Sequence, residues 1–373
     1  MGTPAPQLPD VRRGHLPARP SKPLGARSLK LALTMAHSCL APRKRERERF
    51  VREPAPQAVE RLPYTTEDGW QCFLFRCPPP PGAPGEPVVL AHGLGLNRLS
   101  MDYTPDGLIA LLHAWGFDVY LLEHRADTSA FPPRHPTAFD ADTIAAQDVP
   151  AAIQAILDFT GHRQVGWVGH GFGGQLLYIH LAQDPYAPVF AAACLGSAVR
   201  FTSPSSAARA AGMVSRLLPA RLGLPNRQLS RLLSPSVAVD TILGAQVSNG
   251  GIDGPVVRGV LNHAVEDLRG GLVRQVSRWV SSGVLCDKDN RIDYLEAIRG
   301  HALPLLVVAS TGDTVCEPEA ALRVLDYMGE GNKRSLVLAE PCAHLDLVQG
   351  RVANTATGPA LASWLDDHRR HAW

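Results

Sequence analysis

From about residue 59 to the C-terminus, short apolar runs alternate with amphipathic stretches, and the alternation breaks once. Val59 to Thr65 and Trp70 to Arg76 flank Glu67-Asp68-Gly69 and predict strand, turn, strand. Pro87-Val-Val-Leu-Ala91, Phe117 to Leu122, Val165 to Val168, Phe190 to Leu195, Pro304 to Val308 and Ser335 to Leu338 predict short buried strands. Between them Leu108 to Trp115, Gln175 to about Gln183 and Glu319 to Tyr327 predict helices. Asp148-Val-Pro predicts a helix with Asp148 as its N-cap and Pro150 in the first turn, and Pro359 opens a last helix to about His368. From Arg200 to about Asp293 the strands stop, and Ser206 to Leu218, Gln228 to Leu233, Pro255 to Leu268 and Leu272 to Ser281 look helical. Strands alternating with helices imply an α/β protein, its mostly parallel sheet covered by helices on both faces. The interruption reads as a helical cap inserted over the sheet's C-terminal edge. The expected division is a core of 56–199 and 296–373 with a cap of 200–295.

Before residue 56 the pattern disappears. Pro4, Pro6, Pro9, Pro17, Pro20 and Pro23 interrupt any helix, and Arg43 to Arg52 is a charged run with almost no apolar content. Residues 1–55 are therefore expected to be a disordered basic tail, or to include an upstream start with initiation at Met35. No convincing signal peptide and no run of about 18 apolar residues is present, so the expected location is the cytoplasm. Seven dispersed cysteines fit free thiols in a reducing compartment.

With 373 residues, 45% of them hydrophobic, the chain has enough apolar material for one large domain with an insertion. A net charge of +2 argues against a nucleic-acid partner. Charge is nevertheless uneven. Arg200, Arg209, Arg216, Arg221, Arg227 and Arg231 lie in a stretch without an acid and among Leu217, Leu218, Leu222 and Leu224. A solvated helix face is the plain reading, and peripheral membrane or lipid contact through the basic cap stays open.

The chemistry centres on Gly169-His170-Gly171-Phe172-Gly173. A strand running into a helix across G-x-(nucleophile)-x-G is the pattern of a nucleophile elbow, whose tip carries Ser, Cys or Asp. Here the tip is Gly171, which has no side chain. Three further signals stand where a hydrolase needs them. His92-Gly93-Leu94-Gly95 follows a strand, in the place of a loop that turns a backbone N–H, that of Leu94, toward a substrate oxyanion, with the N–H of Phe172 as the second donor. Asp313 follows the strand ending at Val308, and His344 follows the strand ending at Leu338. Their order is that of a triad: nucleophile position, acid, histidine. Each residue also has a plainer reading. His92 and His170 pack and hydrogen-bond their loops, Asp346 fixes the turn around His344, and Asp313–His344 is an inherited hydrogen bond. Ser197, at a strand end, is a weak substitute nucleophile because it lacks an elbow.

Taken together, His92-Gly-Leu-Gly, Asp148-Val-Pro-Ala-Ala, Val168-Gly-His-Gly-Phe-Gly-Gly174, Gly312-Asp313 and His344-Leu-Asp346 resemble the α/β-hydrolase family from near Val59 to the C-terminus. The likeness is to bacterial lipase- and esterase-like members of the lysosomal acid lipase and polyhydroxyalkanoate synthase branches. The resemblance implies an α/β-hydrolase fold with a helical cap and ancestral hydrolysis of carboxylic esters. It also implies a hydrophobic small-molecule or acyl-ester ligand. Neither metal nor organic cofactor is implied. The family's usual elbow reads Gly-His-Ser-x-Gly-Gly, so Gly171 replaces the residue that forms the acyl-enzyme. The expectation is lost or strongly reduced hydrolysis. A non-catalytic binding protein and a His–Asp base-catalysed enzyme remain as alternatives.

Overall fold

The structure is a computed structural model that describes residues 60–369 except 102, 104–106, 202–218, 221, 229–246, 248–250, 332, 340 and 341. The expected tail, the helix expected over Ser206 to Leu218, most of that over Gln228 to Leu233, and Arg209, Arg216, Arg221 and Arg231 lie outside the described residues.

A hairpin of β1 (Glu60–Thr65) and β2 (Gln71–Cys77) comes first, followed by β3 (Pro87–Ala91), β4 (Asp118–Glu123), β5 (Val165–His170) and β6 (Val189–Leu195). Two short strands, β7 (Gly223–Leu224) and β8 (Leu268–Arg269), pair with each other, and β9 (Leu305–Ser310) and β10 (Lys333–Leu338) complete the main sheet. The main sheet has the order β1-β2-β4-β3-β5-β6-β9-β10. From β4 onward every pairing is parallel, and β1 and β2 are antiparallel.

Strands β3, β4, β5, β6 and β9 are buried throughout, as mostly apolar runs covered on two sides should be. Alternate residues serve opposite layers: Val89 and Trp167 pack with helices α2 (Val149–Thr160) and α3 (Phe172–Gln183), while Val88 and Val168 pack with α1 (Leu108–Ala114) and the last helix. Strand β10 departs from expectation. It lies at the sheet edge, starts with Lys333 and Arg334, and is largely exposed. Charges on an edge strand discourage pairing with another chain.

The start of α2 also differs from its sequence reading. Asp148 is not an N-cap: it has helical dihedrals and makes no capping bond. The helical path begins earlier, with Asp140 accepting from Thr143 N, and passes through Ala141–Thr143 and a π-helical turn, Ile144–Asp148. The last helix repeats this. Gly350–Val352 and a π turn, Ala353–Thr357, precede Gly358–Arg369, so Pro359 lies within a longer helical path rather than at its start. A proline cannot donate to the carbonyl four residues back, and each π turn sits just before the proline that would break the regular ladder.

In the inserted region, α4 (Gly254–His263) and α5 (Gly270–Ser282) are described, and α4 ends before Leu268 because β8 takes that residue. Arg200 has an acidic partner outside its acid-free stretch of sequence. It is part-buried and pairs with Asp293 at 2.7 Å. Among the described residues no helix is long and apolar enough to cross a membrane. Six cysteines are described, all buried free thiols, and Cys39 lies outside them.

Candidate active site

The C-terminal ends of β3, β5, β6, β9 and β10 lead into the loops that hold the site, the usual place for ligands in a parallel sheet. At the end of β5 the chain reverses into α3 within one residue. Gly171 has φ +51° and ψ −109°, a conformation side chains strain to adopt. The turn is possible because α3 passes close to β3: a Cβ on Gly173 would lie 2.1 Å from the Ala91 carbonyl oxygen. Gly169 is pressed as closely against Gly174, where a Cβ would lie 2.4 Å from its nitrogen. The elbow is therefore intact as backbone.

His344 and Asp313 meet over it. His344 Nδ1 lies 2.7 Å from Asp313 Oδ2. The other carboxylate oxygen accepts from Val315 N at 2.8 Å and Cys316 N at 2.9 Å, which fixes the carboxylate. His344 Nε2 points at the vacant tip: a Cβ on Gly171 would stand 3.1 Å from it, slightly too close for comfort. Gly196, which the sequence reading missed, makes room behind, since a Cβ there would come within 2.9 Å of the His344 ring and 3.1 Å of Asp313. His170 Nε2 contacts the His344 carbonyl oxygen at 3.1 Å, the two rings lie 4.4 Å apart, and His170 also packs beside Gly93. Burial, with His344 adding to it, drives the His170 pKa well below the usual range, so its ring is neutral. Asp346 Oδ2 accepts from Ala343 N at 2.8 Å and so braces the turn that carries His344.

Leu94 lies on the other side, in the loop after β3, with Gly93 Cα 3.9 Å from the position of a Gly171 Cβ. His92 Nδ1 is 3.0 Å from the Gly93 carbonyl oxygen, and Nε2 is 3.1 Å from Asp127 Oδ2. Asp127 also accepts from His124 N at 2.7 Å, and His124 Nδ1 lies 3.2 Å from the same oxygen. Burial opposes charge on all three. It takes His124 down to about 4, whereas Asp127 outweighs it at His92 and raises that ring to about 9. The two histidines hold Asp127 below the usual carboxylate range despite burial. Buried Glu266 ties this loop to the inserted region: its Oε1 accepts from Asn97 Nδ2 at 2.8 Å and from Thr128 Oγ1 at 3.0 Å. Phe172 is buried, with its ring stacked on Trp279 of α5 at 6.5 Å.

Sequence reasoning missed His124, Asp127 and Glu266. The signal for the first two was present, because His124 and Asp127 directly follow β4, which neighbours β3. Among the described residues His92, His124 and Asp127 are the one set close enough to hold a metal ion. Their contacts are satisfied without one, since Asp127 Oδ2 accepts from His124 N and faces His92 Nε2, while His92 Nδ1 faces the Gly93 carbonyl.

Ser197, Cys194 and Cys342 are poor alternative nucleophiles. Ser197 is fully buried, donates to the Leu195 carbonyl at 3.3 Å and abuts Gly174. Burial pushes the thiols of Cys194 and Cys342 up to about 12 and about 11, so neither is a thiolate at neutral pH. Two open cavities of about 440 and 560 Å³ lie at the opposite, N-terminal edge of the strands, around Gln164 and Phe190, away from Gly171.

Comparison with known proteins agrees with this fold. The model of the alpha/beta hydrolase family matches residues 88–355. Human lipase member K is 31% identical over 140 residues, 34% of this chain and 35% of that protein. Human lysosomal acid lipase/cholesteryl ester hydrolase is 32% identical over 136 residues, 32% and 34% of the two chains. The chain thus matches about a third of the length of these relatives. Among solved structures, a hydrolase from Pseudomonas aeruginosa PA01 superposes with TM-score 0.56 at 17% identity, over 83% of this chain and 99% of that one. A Paleococcus ferrophilus monoacylglycerol lipase gives TM-score 0.53 at 18% identity, over 84% and 100%. With its sheet order, its elbow and a family match spanning most of its length, the chain belongs to the alpha/beta hydrolase family.

Proposed function

We propose that this protein is a lipase- or esterase-like member of its family in which ester hydrolysis is lost or strongly reduced, because the elbow presents Gly171 in place of a nucleophile. The observation that carries this reading is the geometry around His344 Nε2, which faces a Cα without an oxygen on it. In this reading Asp313 orients His344, the N–H groups of Leu94 and Phe172 form the oxyanion site, and residues 200–295 cap it. His92, Gly93, Gly169, His170, Gly173 and Asp346 support it. The ligand is a hydrophobic acyl compound, in keeping with the lipases and esterases that the chain resembles.

With a serine at the tip, His344 Nε2 would take the Oγ proton as Oγ bonds to the ester carbonyl carbon, and the alcohol would leave with that proton. Without Oγ no acyl-enzyme forms. A water that gives its proton to His344 can still attack, at the low rate that the oxyanion site and binding support. The intact 2.7 Å Asp313–His344 bond favours, as a second reading, a reaction that needs a base and no nucleophile.

The test is paired. Wild-type protein is expected to resist labelling by fluorophosphonate probes and to hydrolyse p-nitrophenyl esters little or not at all. Gly171→Ser is expected to gain both reactions. Stoichiometric labelling of the wild type would overturn the proposal, and a folded but inert Gly171→Ser would show that the remaining groups no longer act as a triad.

A further inference from the structure

His92 is enclosed by acceptors. Its Nδ1 faces the Gly93 carbonyl at 3.0 Å and its Nε2 faces Asp127 Oδ2 at 3.1 Å. A ring nitrogen bonds to an acceptor only if it carries the proton, and both nitrogens are protonated only in the imidazolium. The Gly93 carbonyl and the Leu94 N–H belong to one planar trans peptide unit and point in opposite directions. Whatever grips that carbonyl therefore sets the direction of the N–H.

We infer that His92 is a positioning residue for the oxyanion site: as an imidazolium held by Asp127, it fixes the Gly93–Leu94 peptide and strengthens the Leu94 N–H as a donor. This rests on the reading of Leu94 as an oxyanion donor. A charge-assisted bond to a carbonyl draws electron density from the amide and makes the N–H on its far side more acidic. Leu96 N donates to the same carbonyl at 3.2 Å and holds the loop from its other end.

The groups around His92 are consistent with a single charged ring. Asp127 faces Nε2, and His124, whose ring is 4.9 Å away, is held neutral by burial. Glu123 adds negative charge from β4, with Arg98 opposing it at 3.4 Å, and His170 on the elbow side is neutral. Burial alone would strip the proton from His92, and Asp127 reverses that.

Two measurements test the inference, and they fail separately. The first is nitrogen NMR of histidine side chains in wild-type protein at about pH 7.5, above the ordinary histidine range. One buried imidazolium is expected, absent in His92→Gln and unmoved by added zinc. A neutral His92, or a ring whose nitrogen shifts on stoichiometric zinc, overturns the inference whether or not the protein has activity. The second uses the Gly171→Ser protein as its active background. There Asp127→Asn keeps the side-chain shape and removes the charge that retains the proton. It is expected to lower kcat about ten-fold with KM little changed, and to bring the alkaline limit of the pH–rate profile down toward neutrality. Unchanged kcat and pH profile beside a charged His92 would sink the polarisation claim and leave only a packed histidine. If Gly171→Ser is inert, the remaining groups no longer act as a triad, while the NMR result still decides the charge of His92.

Discussion

Position 171 combines a missing side chain with a backbone that only glycine adopts without strain. Gly171→Ala is expected to lower stability by about 1–3 kcal/mol, because φ is +51° and the new Cβ would crowd His344 Nε2. Gly173→Ala should do worse, by about 3 kcal/mol or more, since its Cβ would meet the Ala91 carbonyl, which is backbone and cannot rotate away. Urea denaturation of the two variants tests the ranking, and the reverse order would contradict the described elbow. His92 makes a pH prediction. Its proton is held to about 9 in the fold and to about 6.5 in the unfolded chain. Its contribution, on the order of 3 kcal/mol, is then complete below about pH 6.5 and is lost as pH rises through about 9. The wild type should lose more stability than His92→Gln across that window. Parallel curves for the two proteins would mean that His92 carries no raised affinity.

At the scale of elements, what was legible in the sequence follows from burial. β3, β5, β6 and β9 announce themselves because strands covered on both faces leave little room for polar residues before their C-terminal ends. The start of α2 did not, because Asp148-Val-Pro looks like a cap and a first-turn proline. In the fold Asp148 is instead a buried anion. It accepts from Arg125 Nε at 2.6 Å and Arg125 N at 2.9 Å, while the far side of that guanidinium pairs with Asp68 in the β1–β2 turn. No local pattern could join residues 68, 125 and 148. Burial raises the Asp148 carboxyl to about 6 even beside Arg125, which shows how much this junction depends on its cation. Arg125→Ala is expected to destabilise the protein by about 3–5 kcal/mol, and Arg125→Met with Asp148→Leu to recover much of the loss. Equal losses in the single and double variants would mean that shape, rather than the unpaired carboxylate, sets the effect.

At the scale of the whole molecule, the order of the motifs along the chain was readable, and so was their convergence at one sheet edge. The bracing that holds them was not. Glu266 reaches Asn97 and Thr128 from more than a hundred residues away, and nothing in its local sequence marks it. Glu266→Ala removes the shared acceptor of two loops and should destabilise by about 1–3 kcal/mol. Hydrogen exchange should quicken at Leu96 to Met101 and at Asp127 to Ala130 together. Faster exchange in only one of these segments would show that Glu266 does not couple them.

Glycine and serine codons can differ by a single base. Because Gly171 has the reversed backbone of an elbow and His344 Nε2 faces it, a nucleophile there takes one substitution rather than a rebuilt turn. On the proposed reading, a lineage carrying this chain holds ester hydrolysis in reserve, and selection for it would find position 171 first.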